Sequence, residues 1–156
     1  MKLLDDKKFA IPIFILFLFF MFYEPIVCFI ILGTLVSITS IYYWRFLTYI
    51  YKNGTKASGK ILSYESDSEG YKTPIISFTT EQGIQIREKP YYHASTDLGI
   101  LMSYKKEIGR QIDILHDPEN PEKFVIKKEK GFNKLTLIFM ALIGLIFLII
   151  GIFNIF

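Results

Sequence analysis

His93 and His116 are the only histidines in the chain, and so the side chains best suited to exchange a proton or bind a metal near neutral pH. Neither stands at ligand spacing from a second strong ligand, and a metal site would have to join both with Asp117 through space. Cys28, the single cysteine, excludes an internal disulfide and a cysteine-built zinc centre. It lies inside an apolar run, where a thiol serves as a small packing residue. Lipid modification there is disfavoured, because Val27 occupies the position where cleavage wants Gly, Ala or Ser. No Gly-rich phosphate loop, nucleophile elbow or zinc-protease helix occurs. The chain therefore reads as a non-enzyme that needs no cofactor or metal. Tyr91, Tyr92, His93 and His116 are a possible interaction surface, not a catalytic set.

The elements that must position these residues are set by hydropathy. Ile26 to Trp44 is an uncharged run of about nineteen residues, close to the roughly twenty needed to cross a bilayer core, and it ends in Tyr42, Tyr43, Trp44 and Arg45. Leu135 to Phe153 is a second such run, with Ala141 and Gly144 as a small-residue patch. Phe9 to Tyr23 is a third, at about fifteen residues, with Pro12 in its first turn; it spans only if Leu3 and Leu4 extend it or the bilayer thins. No small-residue cleavage site follows it, so it reads as retained, not as a signal peptide. Glu24-Pro25 separates Phe9–Tyr23 from Ile26–Trp44, and a hairpin turn is preferred there over a kink, because a charged Glu is costly at membrane depth. Gly33, Ser37 and Ser40 share a face of the second helix and predict close helix packing with no particular partner. Arg45 to Lys52 continues that helix beyond the bilayer, and Asn53-Gly54 stops it.

Between the apolar runs the chain reads as β. Strands are predicted at Gly59–Glu65, Tyr71–Thr80, Ile84–Glu88, Gln111–His116 and Phe124–Lys128, with turns at Asp67–Gly70 and Glu81–Gly83. Pro74 cannot donate to a ladder and must face an edge or a bulge. Ser95, Thr96 and Asp97 are able to cap a short helix carrying Leu98, Leu101 and Met102, which Gly99 weakens. Asp117-Pro118-Glu119-Asn120-Pro121 reads as a rigid connection: Asp and Asn side chains cap backbone N–H groups while the prolines fix φ. The expected architecture is three transmembrane helices with a five-stranded, mostly antiparallel curled sheet or open barrel between the second and third. Its parts are an N-terminal membrane hairpin over residues 1–52 (helices near 9–23 and 26–48), a soluble β domain over 53–132, and a C-terminal transmembrane helix over 133–156.

The net charge of +3 comes from the helix flanks, since cations and acids balance across the β region. Lys and Arg gather at the N-terminus, after the second helix and before the third. That distribution puts the N-terminus and β domain on the cytoplasmic side and the C-terminus outside. If Phe9 to Tyr23 does not span, the β domain changes sides. The pattern suits a membrane anchor and excludes a nucleic-acid binder. Apart from Glu24 the runs hold no ionisable side chain, which disfavours transport.

Gly109 to Lys123 (GRQIDILHDPENPEK) resembles the hallmark of a mostly bacterial membrane-protein family, number three-five-nine-two in the domain-of-unknown-function series. The order of elements over residues 30 to 153 is similar too, with two departures: His116 stands where the family usually has Tyr, and Phe9 to Tyr23 is additional. The resemblance implies the same architecture in a bacterial inner (cytoplasmic) membrane and transfers no activity. The expected function is a non-enzymatic integral membrane protein whose β domain interacts with another protein, the partners being membrane lipid and another membrane protein or a second copy. Two alternatives stand beside it. One is an immunity or protective protein against a membrane-acting toxin; the other is an enzyme of unrecognised class, which needs the Tyr91–Asp97 loop and His116 to converge on a pocket.

Overall fold

The computed structural model describes residues 7–66, 72–94 and 107–154. The turn expected at Asp67–Gly70 and the short helix expected after Ser95 lie outside the described residues. The chain divides into two compact units, residues 1–42 with 138–156, and residues 43–137.

Helix α1 (Lys7–Tyr23) and helix α2 (Pro25–Asn53) are separated by Glu24 alone. The Cys28 thiol lies 3.5 Å from the Phe17 carbonyl oxygen. A straight helix would hold residues eleven apart about 16 Å from one another, so the chain folds back at Glu24-Pro25. Helix α3 (Lys130–Phe153) packs antiparallel on α2, and the small residues explain how. A Cβ on Gly33 would meet the Gly144 carbonyl and the Leu148 backbone nitrogen, both at 2.8 Å. One on Gly144 would meet Ser37 Oγ at 2.6 Å, and Gly151 touches Ile30. Phe29 and Phe147 meet edge to face at 5.7 Å beside this seam. The partner of the Gly33–Ser37 face is therefore α3, and Ala141 points away, exposed.

Among the described residues, two helices, Pro25–Asn53 and the one running to Phe153, are long and apolar enough to cross a membrane. Their outward sides carry Ile38, Ile41, Phe139 and Ile146, each more than half exposed. So much continuous apolar surface calls for apolar surroundings. Helix α1, at 17 residues, rises about 25 Å and falls short of the roughly 30 Å hydrocarbon core.

The second unit holds a curled, five-stranded antiparallel half-barrel in the order β3-β2-β1-β4-β5. Its strands are β1 (Thr55–Ser66), β2 (Lys72–Thr79), β3 (Gln85–Glu88), β4 (Gln111–His116) and β5 (Phe124–Ile126). Alternation puts one side of each strand inward, and Ile61, Ile76, Phe78, Ile86, Ile114, Phe124 and Ile126 form the core. Pro74 meets both of its expected conditions. It lies beyond the end of the β2–β3 ladder, which stops at Ile76, and opposite Tyr64, just past the bulge between Ile61 and Ser63. Gly83 and Gly109 carry the turns into β3 and β4 with φ of +82° and +87°, a region that side chains disfavour.

Two strand limits differ from expectation by more than one residue. β1 starts at Thr55, because Thr55–Ser58 pairs with His116–Asp113 of β4, a non-local ladder that local propensity does not foretell. β5 stops at Ile126, since Lys127–Glu129 winds into a 3₁₀ turn that leads directly into α3. The Asp117–Pro121 connection is built as its side chains suggest: Asp117 Oδ1 accepts the Glu119 N–H at 3.0 Å, and the Asp117 N–H donates to the Lys123 carbonyl at 2.9 Å.

Candidate functional site

After β3 the chain runs as a strap along the outer edge of β5. An ion pair between Lys89 and Glu65 holds its start, Pro90 is buried, and the Tyr91 N–H donates to the Phe124 carbonyl at 2.9 Å. The Tyr91 ring packs on Phe46 with centroids 4.7 Å apart, under the Lys123 ammonium at 5.5 Å. Tyr92 packs on Tyr43 at 4.9 Å. Both tyrosines thus spend their rings on the end of α2.

The next two residues tie the strap to the start of α3. His93 Nδ1 lies 2.9 Å from the Glu129 carboxylate, which only accepts, so Nδ1 carries the proton in this contact. The Ala94 N–H donates to Asn133 Oδ1 at 3.2 Å. Asn133 is fully buried, and its side chain meets the half-buried Tyr51 hydroxyl, whose pKa burial raises while the hydrogen bond with Asn133 pulls it back. Cations cover the rings nearby, with Lys130 over Tyr51 at 5.3 Å and Lys134 over Trp44 at 5.5 Å.

His116 lies apart from the strap. It is 4% exposed, stacks on Phe78 at 5.6 Å, and donates from Nδ1 to its neighbour's Asp117 carbonyl at 3.1 Å. It is a core residue, and its buried Nε2 has no hydrogen-bond partner among the described residues. The four residues expected to form an interaction surface are therefore divided: Tyr91 and Tyr92 against α2, His93 on Glu129, His116 inside the sheet. Among the described residues, no three His, Cys, Asp or Glu side chains are placed to hold a metal ion.

His93 and Glu129 instead stand in the wall of a cavity of about 910 Å³. Its floor continues the core face of the sheet through Ile61, Tyr64, Pro74, Ile112 and Ile126, and Phe132 from the first turn of α3 adds to it. Arg110, Lys127 and Lys128 line its polar side with Glu107 and Asp113. An apolar floor with a few charged groups at one side suits a small amphiphilic ligand better than a polar substrate. Sequence reading passed over Glu129, Asn133 and Arg110. Asn133 at the head of an apolar run was the one available signal, because a polar residue that enters the interior must find a partner.

The Tyr92 hydroxyl is pushed up to about 12, by burial first and then by the neighbouring Tyr43 and Tyr51 phenols. An unfolded chain ionises Tyr92 near pH 10, whereas the folded protein resists. The stability this provides is complete below pH 10 and is lost as pH rises towards 12. Thermal unfolding in detergent from pH 9 to 12 is expected to show a steeper alkaline fall for the native protein than for Tyr92→Phe. Parallel curves would refute the assignment.

Compared with known proteins, the chain matches no protein-family model, no curated protein and no solved structure.

Proposed function

We propose that this chain is a three-span integral membrane protein of the bacterial inner membrane, which holds its β domain at the cytoplasmic surface to engage another membrane protein or a second copy. It catalyses no reaction in this reading. The observation that carries it is the pair of long helices with apolar, outward-facing sides on either side of the β domain in sequence. In the third span, α1 turns Ile11, Phe14, Ile15, Phe19 and Phe22 outward, a lipid-facing composition. Thinning of the bilayer accommodates its shortness. The sidedness is supported by Arg45 and Lys52 in the last turns of α2 and by Lys127, Lys128, Lys130 and Lys134 around the start of α3, against a lone acid at the Glu24 turn. The resemblance carried by Gly109–Lys123 supports the bacterial setting.

A reporter enzyme that works only outside the cytoplasm tests this topology when fused at Ser68 or after Phe156. Silence at Ser68 and activity after Phe156 are expected. Activity at Ser68 would reverse the sidedness. Cross-linking in intact membranes then tests the partner: the protein is expected in a dimer or in a band with a second membrane protein, and recovery as monomer alone would sink the interaction role.

A further inference from the structure

We propose that the cavity on the core face of the half-barrel binds a long-chain fatty acid, with the hydrocarbon on the floor and the carboxylate at the Lys127–Lys128 side. Two observations converge on an anionic single-chain lipid. The first is the floor. A closed barrel fills this space with its own side chains, but among the described residues nothing closes the sheet here, and Tyr64 and Ile112 are only partly buried beside the closed Ile61 and Ile126. The cavity lies within the range of roughly 300–1,000 Å³ typical of small-molecule sites.

The second is the charge left over in the wall. Glu107 is held by Arg110 at 2.7 Å, Asp113 by Lys127 at 3.6 Å and Glu129 by His93 at 2.9 Å. Lys128 has no acidic partner among the described residues, so the spare charge is positive and suits an anion. An extended peptide fits less well. The floor is made of side chains from β1, β2, β4 and β5, and in the paired stretches the ladders already use the backbone groups, so a peptide's N–H and C=O groups would be desolvated without partners.

The test uses the full-length protein in a sterol-based detergent without alkyl chains, and a polyene fatty acid that fluoresces on leaving water. Saturable one-to-one binding is expected, competed by decanoate, dodecanoate and tetradecanoate with affinity rising about fourfold per methylene until the floor is covered. Dodecanol is expected to compete at least tenfold more weakly than dodecanoate. Lys128→Glu, at an exposed position, is expected to weaken the probe by tenfold or more without moving the unfolding temperature, and Ile112→Trp to abolish binding by filling the floor. Uptake that never saturates, equal competition by dodecanol, indifference to chain length, or tighter competition by an apolar peptide would each overturn the proposal. Because the fusions report sidedness alone, failure of either result leaves the other standing.

Discussion

Replacing Phe124 by alanine is expected to strip the β domain of most of its stability, about 3–5 kcal/mol. Phe124 is fully buried at the meeting point of three interactions: its ring stands edge to face on Phe78 at 5.1 Å, its backbone pairs with His116 of β4, and its carbonyl accepts the strap through the Tyr91 N–H. Alanine removes the ring from a core whose neighbours, Ile76 and Ile114, are themselves fully enclosed and held in ladders, so they cannot collapse into the space. The loss approaches the whole stability of a small domain. Amide exchange of the full-length protein in mild detergent is the direct measurement. Protection in β4 and β5 is expected to fall by two to nearly four orders of magnitude, since each 1.4 kcal/mol is about tenfold. Ile84→Ala, at a half-exposed side chain outside the core, should leave exchange nearly unchanged. Protection within tenfold of the native protein in Phe124→Ala would show that the core is not where the structure puts it.

The Gly144→Leu variant is expected to disrupt the seam between α2 and α3. Within lipid, helices gain no hydrophobic advantage by touching, so their contact depends on backbones coming close. At this seam the Cβ of any side chain at 144 falls 2.6 Å from Ser37 Oγ and 3.1 Å from the Gly33 carbonyl, and the latter cannot rotate away. The helices must separate or slide, at a cost of about 1–3 kcal/mol. In a Cys28→Ser background, cysteines placed by Phe29→Cys and Phe147→Cys replace two touching rings and should oxidise to a disulfide rapidly. Adding Gly144→Leu is expected to slow that step at least tenfold, whereas Ala141→Leu, on the exposed side, should not. Equal rates in the two variants would mean that the seam is not held by its small residues.

These two sites also differ in how they could be read from the chain. The small residues Gly33, Ser37 and Gly144 were visible as packing faces, but their pairing was not, because spacing along one helix carries no information about the helix opposite. Ala141 looked as apt as Gly144 and turned out to face away. Cys28 read as a packing thiol, and its place beside the Phe17 carbonyl separates a hairpin from a kink. The strap is a sharper case. Tyr91, Tyr92 and His93 stood out as a reactive-looking cluster, yet the tyrosines serve to pack on Phe46 and Tyr43.

Apolar run length, period-two alternation and turn chemistry act over a few residues. Thus the long helices, the five strands, the awkward Pro74 and the Asp117 turn could all be recognised in the chain from local physics. The return of Thr55–Ser58 onto β4, the burial of His116, the meeting of His93 with Glu129 and the open floor beneath Ile112 all join residues far apart in sequence. Such contacts form only where loop closure and the summed burial of the whole sheet favour them. For that reason the cavity, and any ligand it takes, belongs to the folded protein and left no mark in the order of its residues.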